Sequence, residues 1–131
     1  DAIPSIDVDI FAHYTSTSFL APLSEVYEYL IDKYKAKIDS DMIKIGGLYL
    51  QFLPADSSNP VDTEATKHPN IVKGGLRLFE FEYLICSMLY VGSKKYIPRL
   101  SLIKMECRHD EKKLNKLLKK FGLEKEWEDV V

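Results

Sequence analysis

The sequence predicts an α+β fold: one mixed or antiparallel sheet with two amphipathic helices packed on one face, in the order β-α-β(β)-loop-β-β-β-α. Three observations carry that expectation. Apolar and polar residues alternate with a period of two in short segments, an apolar stripe with helical spacing fills 22–38, and a second one recurs in 110–122.

The first strand is read from Ser5 to Ile10, where Ile6, Val8 and Ile10 alternate with Ser5, Asp7 and Asp9. Thr15 to Ser18 is a polar break. Leu23, Val26, Tyr27, Leu30, Ile31, Tyr34 and Ile38 then line one side of a helix from about Pro22 to Ile38, ended by Asp39-Ser40-Asp41. Tyr29 falls off the stripe and is expected at the surface, whereas Tyr27 and Tyr34 are expected in the core. Met42 to Leu53 reads as strand, with Gly46-Gly47 marking either a bulge or a tight turn that divides it in two. Residues 54–70, with three prolines, are expected to form a long polar loop. From Ile71 onward the pattern is read as three strands, of which Leu84–Val91, apolar on both faces, is central. A helix through Leu84 to Tyr90 is the rival reading of that run. Lys73-Gly74-Gly75 and Gly92-Ser93-Lys94 read as turns, and Tyr96–Cys107 as the last strand. Asp110 is placed to cap a final helix with a stripe of Leu114, Leu117, Leu118 and Phe121, and Gly122 to stop it.

The length of 131 residues suits one globular domain, and 46% apolar with 29% charged residues argues against disorder. Because the chain starts at Asp1 without methionine, it is expected to be a fragment of a longer protein. The longest apolar-rich stretch, Leu76–Val91, is interrupted by Arg77, Glu80 and Glu82, so no membrane span and no membrane partner are expected. Cys86 and Cys107 form neither a disulfide framework nor a metal pattern and are read as buried, reduced thiols. With no Asn-x-Ser/Thr site present, an intracellular location, cytoplasmic or nuclear, is expected.

No catalytic residue, metal ligand or cofactor is assigned. His13, His68 and His109 lack ligand spacing, and neither a nucleophile elbow nor a phosphate-cradling glycine loop occurs. Cys86, in an apolar run, is expected to have a raised pKa, the reverse of an activated thiol. His68-Pro69-Asn70 is similar to the tripeptide of ubiquitin-conjugating enzymes, but Leu78 stands where that family has its cysteine, and the likeness ends after four residues. Asp7 and Asp9 share one side of a strand, as do Glu80 and Glu82, and if those strands were neighbours the four carboxylates would converge. Convergence of the four would resemble a two-metal phosphoryl-transfer site. Alternating acids otherwise mark the wet faces of amphipathic strands.

Charge is the most informative feature. Residues 1–92 carry a net −6, residues 93–121 a net +7 and residues 122–131 a net −3. The candidate binding residues are Lys94, Lys95, Lys112, Lys113, Lys116, Lys119 and Lys120, with Arg99, Lys104 and Arg108 completing the basic block. These features point to a non-enzymatic protein–protein interaction domain, a subunit or adaptor that meets a protein partner with an acidic surface. The alternative is nucleic-acid binding through 93–121, weakened by 3 arginines against 15 lysines and a pI near 5.9. A metal-dependent phosphoryl-transfer enzyme is the third reading.

Overall fold

The structure, a computed structural model, describes residues 7–13, 23–55 and 58–131. It is mixed α and β, and the chain divides into two compact units, 1–56 and 57–131, each described by itself.

The first unit is built on a four-stranded mixed sheet. Strand β1 (Asp7–Ala12) runs parallel to β4 (Leu48–Pro54), while β4 pairs antiparallel with β3 (Met42–Ile45), and β3 with β2 (Lys37–Asp39). The register aligns Val8, Leu50, Ile43 and Ile38 across the four strands. By alternation, Asp7, Asp9, Tyr49 and Lys44 fall on the opposite face. Gly46-Gly47 makes the tight turn of the two expected alternatives. Ile45 pairs with Leu48, and Gly46 alone of the two glycines has positive φ (60°), the pattern of a type II′ hairpin.

Helix α1 (Ser24–Tyr34) is shorter than its sequence pattern suggested. Lys35 adopts the left-handed conformation (φ 56°), and the amides of Lys35 and Ala36 donate back to the carbonyls of Ile31 and Leu30, which closes the helix. Ile38 therefore belongs to β2 and not to the helical stripe, and Ser40-Asp41 forms the β2–β3 turn. The stripe is only half covered. Tyr27 packs its ring 5.8 Å from Phe52 of β4, but no residue of α1 is buried. Tyr29 is exposed as expected; Tyr34, expected in the core, is also exposed. Ser5, Ile6, the Thr15–Ser18 break and Pro22 lie outside the described residues.

The second unit departs most from the sequence reading. Within the expected 54–70 loop, Pro60–Ala65 is helix α2. Asn59 caps it by accepting from the amides of Val61 and Asp62, and Pro60 occupies the first turn, where its missing N–H costs nothing. The segment expected as three strands contributes only the short ribbon of β5 (Asn70–Ile71) and β6 (Arg77–Leu78). It then becomes α3 (Phe81–Val91), a 3₁₀ turn (Lys94–Tyr96) and α4 (Ile97–Glu106). The physical reason is that apolar residues lie on both sides of α3. Tyr83, Ile85, Cys86, Met88 and Leu89 are buried, but the exposed Leu84, Tyr90 and Val91 are apolar as well, which erases the period that marks a surface helix. In α4, Leu100 and Ile103 are buried at a three-residue step, and Pro98 sits in the first turn.

Helix α5 (Glu111–Phe121), the last long helix, matches its prediction. The Asp110 carboxylate accepts from the Lys113 amide at 3.0 Å. Gly122 (φ 66°) closes a Schellman turn, with Leu123 N–H donating to Leu118 O at 2.9 Å. Leu114, Leu117 and Leu118 join a core cluster with Val61, Ala65, Leu100, Ile103, Leu123 and the apolar side of α3. Each such leucine contributes about 1.5–3 kcal/mol by leaving water. A terminal helix, α6 (Glu124–Glu128), half-buries Trp127 against this cluster.

Candidate interaction face on the last helix

Where the lysines go follows from the helical spacing of α5. Residues 114, 117, 118 and 121 point to the core, so 112, 116 and 119 fall on the opposite side and 113 and 120, seven residues apart, on one flank. The flanking pair is already engaged. Lys113 forms an ion pair with Glu80, the residue that begins α3, and Lys120 with Glu64 of α2. Lys113 and Lys120 thus bind the last helix to its neighbours and leave the list of free binding cations. Lys104 is also spent internally. Its ammonium donates to the carbonyls of Trp127 (2.7 Å), Glu128 (3.3 Å) and Val130 (2.8 Å), and lies 5.1 Å from the Trp127 ring centroid.

Lys112, Lys116 and Lys119 remain. All three are exposed, and none forms an ion pair with a described residue. They rise about 10 Å along the helix, given 1.5 Å per residue. Lys94 and Lys95 are exposed in the 3₁₀ turn, with the Lys95 ammonium 4.9 Å from the Tyr96 ring centroid.

The acidic candidates do not behave as a metal site. Glu80 and Glu82 are not on a strand face, because their segment starts α3. Glu80 faces Lys113, and the buried Glu82 carboxylate accepts the Asp110 amide at 2.8 Å. That bond ties the N-terminus of α3 to the cap of α5 and puts a negative group in the first turn of α3, where the helix dipole favours it. Among the described residues no group of three or more His, Cys, Asp and Glu is placed to hold a metal ion.

Cys86 is buried as expected, and burial, aided by the Glu82 charge, pushes its thiol up to about 12. Cys107, expected to be buried, is exposed, because it follows the end of α4 and is not part of a core strand. His68 stacks on Tyr83 with rings 12° from parallel, while Asn70 pairs with Leu78 in the ribbon. An open depression of roughly 450 Å³ lies between α2 and Phe121, lined by Thr63, Glu64, Lys67 and His68. Its one carboxylate is the partner of Lys120.

The sequence reading missed a polar network between α2 and α3. Ser87 donates to Asp62 at 2.5 Å and accepts from Asn59 at 3.4 Å. The Asn59-Pro60 pair was its one legible signal. No described helix is long and apolar enough to cross a membrane. No family model, curated protein or solved structure matches this chain.

Proposed function

We propose that this chain is a protein–protein interaction domain, the subunit or adaptor of an intracellular assembly, that receives an acidic partner surface on the outward face of α5. The observation that carries this reading is the division of labour among the α5 lysines. Lys113 and Lys120 are consumed by Glu80 and Glu64, while Lys112, Lys116 and Lys119 are held in a row by a helix whose other side is locked into the core. A rigid row of cations steers a complementary surface and sets its orientation. Nucleic acid is the weaker reading, because three cations of the basic block are satisfied internally and the chain has few arginines for bidentate phosphate contacts.

The test is affinity capture on the immobilised chain from nuclease-treated extract, followed by binding measurements with each purified partner. The K112E/K116E/K119E variant should lower the association rate by about tenfold or more, with a matching loss of salt dependence. Partners bound equally by the variant, or capture that vanishes with nuclease, contradict the proposal.

A further inference from the structure

The ribbon of β5 and β6 combines basic and exposed aliphatic side chains. Between Glu64 and Glu80 the sequence has three cations, Lys67, Lys73 and Arg77, and no acid. In the ribbon Asn70 pairs with Leu78 and Ile71 with Arg77. Val72 N–H donates to Leu76 O at 3.0 Å and Gly75 N–H to Val72 O at 3.0 Å. Gly74 (φ 87°) occupies the turn position that demands positive φ. Four aliphatic side chains remain in water: Ile71 63%, Val72 36%, Leu76 59% and Leu78 46% exposed. Such a cluster on one nine-residue segment is unlike scattered single surface aliphatics.

The backbone adds a second, independent observation. Antiparallel ladders alternate hydrogen-bonded and non-bonded pairs. Because 72 bonds to 76, the 71–77 pair is of the non-bonded kind, and its amides and carbonyls point to the outer edges. Neither β5 nor β6 has another strand beside it among the described residues.

We propose that the ribbon takes up an extended, acidic segment of a partner protein as a third strand, with the partner's apolar residues on the Val72–Leu76–Leu78 face and its carboxylates near Lys73 and Arg77. This deepens the reading above and rests on the partner being a protein. The ribbon and the lysine face of α5 are linked through Glu80, two residues after Leu78 and paired with Lys113 beside Lys112. An anionic membrane fits less well. The ribbon tip is Lys73-Gly74-Gly75, and the aliphatic residues lie along its arms.

The experiment is selection of a phage-displayed random twelve-residue peptide library on the full chain, followed by anisotropy titration of the selected peptides. Enrichment of sequences that alternate acidic with aliphatic or aromatic residues is expected. Their binding should weaken about tenfold or more on L76D/R77E, and likewise on the milder I71T/R77A if the first variant melts early. It should survive K112E/K116E/K119E, which separates failure of the ribbon from failure of the α5 reading. No enrichment, neutral or basic consensus sequences, or peptides indifferent to the ribbon variants overturn the proposal. So does co-sedimentation with phosphatidylserine vesicles that the ribbon variants abolish.

Discussion

The two units solve the same problem, covering an amphipathic helix, to very different extents. In the first unit the described buried residues are Ala36, Ile43 and Ala55, two of them alanines, and α1 buries none of its stripe. In the second, thirteen buried residues from four helices and the following Leu123 close into one cluster. The charged groups repeat the contrast. Lys33 of α1 is solvated beside Tyr29 and Tyr34, whereas Lys104, Lys113 and Lys120 each close a gap between helical elements. The lesson is that a basic segment in a sequence can be mortar between helices, and which of its lysines serve so depends on helical phase and on acids distant in the chain.

The largest expected effect sharpens this contrast directly. Leu114→Ala or Ile85→Ala, each in the closed cluster, should cost about 2–5 kcal/mol in denaturant unfolding. Ile31→Ala on the half-covered stripe, 37% exposed, should cost under about 1 kcal/mol, within the range of surface substitutions or slightly above it. Equal costs would break the comparison.

Next comes the junction of α3 and α5. Glu82→Ala leaves the Asp110 amide without its acceptor and should cost about 1–3 kcal/mol. Asp110→Ala removes the cap on the Lys113 amide and should cost about 1 kcal/mol. Asp110→Ala keeps the backbone N–H that Glu82 accepts, so the two variants remove different hydrogen bonds and the double variant should cost about the sum of the two.

Thiol chemistry gives a third contrast. At pH 8 a maleimide should label the exposed Cys107 and spare Cys86, whose thiol is buried and raised to about 12. The folded chain holds the Cys86 proton more tightly than the unfolded chain, whose thiol keeps the ordinary value of 9.0. Stability from this group is therefore full below pH 9 and lost as pH rises from 9 towards 12. Cys86→Ala should flatten that part of the pH profile, and an unchanged slope would refute the assignment. The smallest effect is expected for Lys120→Met at a half-exposed pair, about 0.2–1 kcal/mol and reduced by salt.

Much of this was legible in the residues, and what was not has identifiable causes. Asp110, the Leu114–Leu118 stripe and Gly122 agree at every level, so α5 could be read completely. Gly46-Gly47 announced a break but left its type open. α3 was legible only as the rival reading of Leu84–Tyr90, because its exposed Leu84, Tyr90 and Val91 are apolar like its buried side and leave no period to separate helix from strand. α2 is too short to show a period, although Asn59-Pro60 is a start signal. The seven candidate lysines could be named from the charge pattern alone, but which of them form ion pairs is decided by Glu64 and Glu80, partners distant in sequence.

The most direct test of the account is the footprint of a purified partner on the full chain, read by amide hydrogen exchange with and without it. Added protection over Asn70–Leu78 and Lys112–Lys119, with the exchange of Ser24–Tyr34 unchanged, is the predicted result. Protection confined to α1 and the four-stranded sheet would place recognition on the open unit and contradict the account.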